Sequence, residues 1–176
     1  RIDRDKCVSC GKCVETCPND ARVISGELKT VDEVMKVVRK DSIFYRNSGG
    51  GVTASGGEPT YQPKFLQEFF QACKKSRIHT CLETCGYVRW QALEEILEYT
   101  DLVLYDIKHM DPNQHIKLTG VDNKLILQNA ERIVGKGIPL IIRVPLIPEY
   151  NDSKENMRDL AKFATKLGVR QIDLLP

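Results

Sequence analysis

Asp101-Leu102-Val103-Leu104-Tyr105-Asp106-Ile107 is a short apolar run that carries an acid near its close, and Leu140-Ile141-Ile142-Arg143-Val144-Pro145 is a second such run with a cation inside it. Between them, Asn123 to Lys136 has apolar residues at helical spacing and is closed by Gly137. Strand, helix, strand at these lengths predicts a βαβ unit, with parallel strands and a right-handed crossover. The same alternation continues outward. Upstream are a helix over Thr30–Val38, the β-branched pair Val52-Thr53, a helix over Pro63–Arg77 with Pro in its first turn, a strand over His79–Cys85 and a helix over Trp90–Tyr99. Downstream, Asn151-Asp152-Ser153 opens a helix that Gly168 stops after Leu167, and Arg170–Leu175 is a last strand. Strand starts near 52, 78, 101, 139 and 170, with one helix between each successive pair, imply an α/β fold on a parallel sheet. Five strands are too few for a closed eight-stranded barrel of about 250 residues, which leaves an open or partial barrel or a doubly wound sheet.

The 176 residues hold 26 Lys plus Arg against 24 Asp plus Glu, a net charge of +2, with 41% apolar and 28% charged residues. That is an ordinary globular composition, without the basic bias of a dedicated nucleic-acid binder. No apolar run approaches the roughly 18 residues that span a bilayer, so no membrane role is expected. The first residue is Arg1 rather than Met, which suggests a piece of a longer chain. Seven cysteines, four of them within the first 17 residues, do not make a secreted disulfide framework; they favour metal binding in a reducing cytoplasm. The one boundary falls near residues 20–30, giving a cysteine-rich segment over 1–26 and an α/β segment over 27–176.

Cys7-Val8-Ser9-Cys10-Gly11-Lys12-Cys13-Val14-Glu15-Thr16-Cys17-Pro18 fits the C-x2-C-x2-C-x3-C-P run of bacterial ferredoxins. Two-residue gaps let Cys7, Cys10 and Cys13 wrap one 4Fe-4S cluster, and Cys17 before its proline is the ligand that serves a neighbouring cluster. A structural zinc site, the alternative, pairs two C-x2-C hooks at longer separation. Cys73, Cys81 and Cys85 are expected to pack rather than ligate.

Gly49-Gly50-Gly51-Val52-Thr53-Ala54-Ser55-Gly56-Gly57-Glu58-Pro59 is not a phosphate loop, because Gly56 is followed by Gly57-Glu58 where a Walker motif has Lys-Ser/Thr. Paired glycines at a strand end let main-chain atoms approach a ligand, and exposed carbonyls with Glu58 suit a cation such as an ammonium group; a tight turn is the plainer alternative. In parallel α/β sheets ligands sit beyond the carboxyl ends of the strands. There stand Glu58, Glu83-Thr84, Asp106, Lys108 and Arg143, carboxylates and cations on one rim. Such a rim complements a zwitterion, or else caps the sheet with internal salt bridges.

With these residues in place, the sequence resembles the glycyl-radical-enzyme activating enzymes, the pyruvate formate-lyase activase family of the radical S-adenosylmethionine superfamily. The resemblance rests on the iron–sulfur run, Tyr45–Pro59, Leu82-Glu83-Thr84-Cys85-Gly86, Asp106-Ile107-Lys108-His109-Met110-Asp111, His115 with Thr119-Gly120-Val121 and Asn123, and Arg143–Pro148 with Tyr150-Asn151-Asp152. It implies a partial (β/α)6 radical-SAM barrel lacking its first strand, preceded by half of a ferredoxin-like iron–sulfur insert. It also implies that Gly56, Gly57 and Glu58 hold the methionyl amino group of S-adenosylmethionine, and that Asp106, Lys108 and Arg143 hold the rest. Glu83 and Thr84 match a strand end where family members often have Asp-Thr.

The resemblance further implies an activase that cleaves S-adenosylmethionine with a reduced 4Fe-4S cluster and installs a glycyl radical on a partner glycyl radical enzyme, fed by a flavodoxin or ferredoxin type reductant. The family's C-x3-C-x2-C loop is absent from these 176 residues, so the chain is expected to be an incomplete piece, inactive alone. A ferredoxin-like electron-transfer or binding module is the alternative reading. His109, Asp111 and His115 are expected in a loop at the rim, as partner contacts or as structure.

Overall fold

The computed structural model describes residues 3, 5–8, 10–24 and 26–176; Arg1 and Ser9 of the sequence reading lie outside them. The chain divides into two compact units, Arg1–Thr30 and Val31–Pro176. Among its described residues the first contains one short helix, α1 (Lys12–Glu15), followed by turns.

The second unit runs α2 (Val31–Val38), a 3-10 turn, α3 (Ser42–Ser48), β1 (Gly51–Ala54), a 3-10 turn over Pro59–Tyr61, α4 (Pro63–Lys75), β2 (His79–Thr84), α5 (Trp90–Leu97), β3 (Leu102–Asp106), α6 (Pro112–Thr119), α7 (Lys124–Gly135), β4 (Leu140–Pro145), α8 (Lys154–Leu167) and β5 (Ile172–Leu175). All five strands pair in parallel, in the order β1-β2-β3-β4-β5. A doubly wound sheet reverses its strand order to place helices on both faces, whereas sequential order with right-handed crossovers places every helix on one face. The core agrees with the second case. Leu66, Phe69, Phe70 and Cys73 of α4, Leu93, Ile96 and Leu97 of α5, and Ile126, Ala130 and Ile133 of α7 join Val52, Leu82, Val103, Tyr105, Ile142 and Val144 in a single cluster.

Alternation along the strands then sets the opposite face. Between the core residues, Thr53, Cys81, Glu83, Leu104, Asp106, Ile141 and Arg143 point the other way, in register across the sheet: Thr53 beside Cys81, Glu83 beside Leu104, Asp106 beside Arg143. The charged residues that interrupt the apolar runs, Glu83, Asp106 and Arg143, are therefore on the face without helices, whereas Thr80 and Thr84 share the core side with Leu82.

Two expectations need correction. The β3–β4 connection carries two helices, because Asp111 caps α6 by accepting from the Gln114 amide at 2.8 Å and Pro112 opens its first turn. His115 is accordingly buried on α6 rather than in a rim loop; its Nδ1 lies 2.7 Å from the Val121 carbonyl and 3.0 Å from the Thr119 hydroxyl.

Candidate active site at the strand exits

Glu58 leaves β1 and reaches β2. Its Oε1 accepts from the Thr60 amide (3.1 Å), the Thr60 hydroxyl (2.6 Å) and the Thr84 hydroxyl (2.8 Å), while its Oε2 accepts from the Cys85 amide (3.0 Å). Burial alone raises its pKa, but the hydrogen bonds from Thr60, Cys85 and Thr84 outweigh it and hold the carboxyl below the ordinary Glu range. Glu58 is thus an ionised tie between the β1 and β2 exits, with Oε2 the less occupied oxygen. Thr84 completes the tie by accepting from the Gly86 amide at 3.0 Å.

On the helix-free face, the Glu83 carboxylate spans β3 to meet the Arg143 guanidinium on β4, Oε1 to Nη1 2.8 Å. Asp106 lies in register with Arg143, and the Lys108 ammonium is 3.7 Å from its Oδ2. Its other oxygen, Oδ1, is buried and has no hydrogen-bond partner. Burial pushes the Asp106 pKa up; Lys108 and Arg143 oppose the rise, and Glu83 and Glu58 add to it. A buried acceptor without a donor costs on the order of 1–3 kcal/mol, so it is a position where a ligand hydroxyl or amide repays the loss.

A concavity of about 210 Å³ opens over these groups, lined by Ser55, Gly56, Gly57, Glu58, Glu83, Thr84, Cys85, Asp106 and Lys108. Seven of the eight sequence-derived binding residues are therefore brought together, and Arg143 stands behind Glu83. A Cβ built on Gly56 or Gly57 meets no atom within 4 Å, so packing does not explain the absent side chains there, whereas room for a ligand does. Three carboxylates and two cations give this rim a net charge of −1 when all are ionised. The residues fit S-adenosylmethionine, whose ammonium, carboxylate and sulfonium sum to +1. Cys85 was expected to pack, yet it lines the concavity, its thiol pushed up in pKa by burial. A larger concavity, about 650 Å³, lies between the starts of α6 and α8 and is lined by Asp111, Glu149, Glu155 and Asp159 but by none of the strand-end residues.

The cysteine run stands differently. Cys7 and Cys10 are exposed, Cys13 and Cys17 half-buried, and all four are free thiols. Backbone amides of Asn19 and Ala21, with Arg22 nearby, hold the Cys17 thiol below its ordinary pKa. The donor set has the right chemistry for iron, but among the described residues no three His, Cys, Asp or Glu side chains are gathered around one point.

Sequence reasoning did not assign the role of holding the exits in place, although it quoted Asn151 as a helix opener and in a family motif. Asn129, Asn151 and Asn156 are buried amides whose partners are loop carbonyls and amides. A signal existed: Asn129 lies in the α7 stripe Ile126-Asn129-Ala130-Ile133, and Asn156 in the α8 stripe Asn156-Leu160-Ala164.

The sequence pattern of the radical SAM superfamily matches residues 15–163, and that of a 4Fe-4S binding domain matches residues 1–23. The chain is 43% identical to an isethionate sulfite-lyase activating enzyme of Oleidesulfovibrio alaskensis, over 99% of this chain and 57% of the relative. It is 44% identical to a (2S)-3-sulfopropanediol dehydratase activating enzyme of Klebsiella oxytoca, over 99% of this chain and 56% of the relative. A crystal structure of a domain of pyruvate-formate lyase-activating enzyme from Bacteroides vulgatus superposes with a TM-score of 0.67 at 36% identity, covering 72% of this chain and 80% of that one. The chain spans little more than half the length of these curated relatives, and over that span sequence and fold agree. It belongs to the glycyl-radical-enzyme activating enzymes of the radical SAM superfamily.

Proposed function

We propose that the strand-exit concavity binds S-adenosylmethionine, and that the protein of which this chain is part activates a glycyl radical enzyme. In this reading β1–β5 are five strands of a (β/α)6 barrel, with Glu83, Asp106 and Arg143 on its interior wall. The single observation that carries it is the convergence of Glu58, Glu83, Asp106 and Lys108 around an open Gly56-Gly57 turn, with Arg143 behind Glu83 and Asp106 Oδ1 left without a donor. Glu58 Oε2 and the glycine carbonyls would hold the ligand ammonium, Lys108 would face its carboxylate with Arg143 steadying Glu83 from behind, and Asp106 Oδ1 would accept a hydroxyl. S-adenosylmethionine, with a reduced 4Fe-4S cluster, would supply the radical chemistry by which a glycyl radical is installed on the partner enzyme. Cys7, Cys10 and Cys13 would hold a ferredoxin-type cluster and Cys17 would serve a second one, which would supply electron relay from a flavodoxin or ferredoxin.

Calorimetric titration with S-adenosylmethionine tests the site. Gly57→Ala places a methyl in the open space and weakens binding by about tenfold or more, while leaving the melting temperature within about 2 °C because the Cβ meets no protein atom. Absence of saturable binding by the parent chain, or equal affinity in the variant, refutes the assignment. Reductant plus S-adenosylmethionine yields no 5′-deoxyadenosine from these 176 residues, which contain no C-x3-C-x2-C triplet; turnover overturns the claim of inactivity.

A further inference from the structure

The segment that follows Asp106 is held in an unusual way. The backbone groups of Lys108, His109 and Met110 are tied by side-chain amides from three separate places in the chain. Asn151, in the β4–α8 connection, donates from Nδ2 to the Lys108 carbonyl at 3.0 Å and to the Pro145 carbonyl at 2.7 Å. Asn123, before α7, donates to the carbonyls of His109 (2.9 Å) and Met110 (2.7 Å). Asn156, in the first turn of α8, accepts from the Met110 amide at 2.8 Å.

Asn151 is the pivot of this set. It is 1% exposed and uses its whole amide. Its Oδ1 accepts from the Ile147 amide at 2.8 Å, and its own carbonyl accepts from Asn156 Nδ2 at 2.7 Å. One side chain thus joins the exit of β3, at Lys108, to the exit of β4, at Pro145, and is itself steadied from α8. No main-chain pairing does this beyond the sheet, where the β3–β4 ladder ends with the Ile107 amide on the Arg143 carbonyl. A short loop left to water samples many backbone states. This one cannot, because its carbonyls are buried against donors that come from fixed elements.

We propose that Asn151, supported by Asn156, is a positioning residue that sets where the Lys108 ammonium stands relative to Asp106 at the mouth of the strand-exit concavity. The proposal deepens the S-adenosylmethionine reading and rests on it for its ligand. Lys108 has a long side chain and meets Asp106 at 3.7 Å with no other ion-pair partner among the described residues. Its backbone sets the point from which the flexible stem reaches Asp106, and Asn151 holds that backbone at the Lys108 carbonyl.

Asn151→Asp keeps the size and the acceptor toward Ile147 but replaces the donating amide with an oxygen facing two carbonyl oxygens. The expected outcomes in the full chain are an increase of about tenfold in amide exchange over residues 108–111 and a loss of about tenfold in S-adenosylmethionine affinity, the scale of one buried hydrogen-bonding group left unpaired. Asn156→Asp keeps the bond to the Met110 amide and loses only the donation to Asn151, so both effects are present and smaller, about threefold. Ile96→Val, a core change in α5 away from this network, gives the control for stability alone. It lowers the melting temperature and leaves affinity within about twofold.

Exchange and affinity in both asparagine variants within twofold of the parent overturn the proposal. So does a loss of affinity that Ile96→Val reproduces at equal loss of melting temperature, since that assigns the asparagines to general stability. If the parent chain binds no S-adenosylmethionine, the reading of the site fails by itself. Exchange over residues 108–111 then decides the clamp alone, with no change in Asn151→Asp overturning it.

Discussion

Gly86 closes the motif Leu82-Glu83-Thr84-Cys85-Gly86, and replacing it with alanine tests whether the β2 exit is shaped from behind by the core. Its φ is +70°, and a Cβ built there falls 1.7 Å from the Tyr105 hydroxyl oxygen, 2.2 Å from Cζ and 2.7 Å from Cε2. Tyr105 cannot step aside. It is fully buried in the core, and its hydroxyl donates to the Ile126 carbonyl on α7 at 2.6 Å. Two costs add. A left-handed backbone costs a non-glycine residue about 1–2 kcal/mol, and overpacking a core by one methyl costs about 1–3 kcal/mol more. If the ring does shift, its hydrogen bond to Ile126 goes too, worth about 1 kcal/mol.

Gly86→Ala is therefore expected to cost about 3–5 kcal/mol, a fall in melting temperature near 10 °C for a unit of this size. Gly168→Ala separates the two costs, because Gly168 has the same φ of +70° and no atom within 4 Å of its built Cβ; it should lose about 1–2 kcal/mol only. Thermal unfolding followed by circular dichroism reads both. Tyr105→Leu in the Gly86→Ala background removes the colliding atoms, so the double variant should be less destabilised than the sum of the singles by at least about 1 kcal/mol. The reasoning is refuted if Gly86→Ala melts within 2 °C of Gly168→Ala, or if the Gly86 and Tyr105 changes add.

Two of the three carboxylates at the site, Glu58 and Asp106, should respond to pH with opposite sign. Glu58 has a lowered pKa, so its stabilisation is complete above its ordinary 4.5 and is lost as pH falls through the folded value; Glu58→Gln should cost about 1–3 kcal/mol at pH 7 and much less in acid, by melting temperature against pH. Asp106 has a raised pKa, so the folded state binds its proton more tightly and stability falls as pH rises from 3.8 through the folded value; Asp106→Asn should melt higher than the parent at neutral pH and lose that advantage in acid. Timed alkylation with mass spectrometry should label Cys17 early, its thiol lowered by backbone amides, and leave Cys73 unlabelled until unfolding, since burial holds that thiol up at about 11; early labelling of Cys73 contradicts its place in the core. A double-mutant cycle on Glu83 and Arg143, whose side chains are 28% and 18% exposed, should give a coupling near 1 kcal/mol, larger than an exposed pair such as Lys162 with Asp159; equal couplings argue against a shielded interior face.

The sheet was legible because its strands are apolar runs of the length a buried parallel strand needs, and the few charges inside them marked the other face. Leu82 and Glu83, Tyr105 and Asp106, Ile142 and Arg143 are neighbours in sequence on opposite sides of the sheet. Two helices of the Val31–Pro176 unit were not legible. Ser42–Ser48 and Pro112–Thr119 bury almost nothing, Met35-like core residues being absent from the first and His115 alone buried in the second, so neither shows an apolar stripe to a reader of sequence. The partners of Glu58 were hidden for another reason. Its ties to Thr84 and Cys85 join residues 26 and 27 positions apart, and nothing local in Gly56-Gly57-Glu58-Pro59 reveals which strand end stands beside it.

The hydrogen bonds at the rim divide it into a fixed part and an available part. Glu58 Oε1 is filled by three donors, and Thr84 both donates to it and accepts from Gly86; these atoms set shape and have little left to offer a ligand. Asp106 is the reverse. Its Oδ1 has no donor, its ionised form is disfavoured by burial and by the nearby carboxylates, and the open Gly56-Gly57 turn borders the same space. Burial without a partner is a cost the fold bears in the free state, and a ligand that brings a donor or a positive charge removes it. The stabilising and the destabilised carboxylate thus stand at one rim. Because parity puts Asp106 on the opposite face from Tyr105 and the helices, the destabilised group can be kept without loosening the core. In the proposed reading, the groups left open to a ligand are Asp106, Lys108 and Glu58 Oε2, while Glu58 Oε1, Thr84 and the asparagines behind them set the shape of the rim.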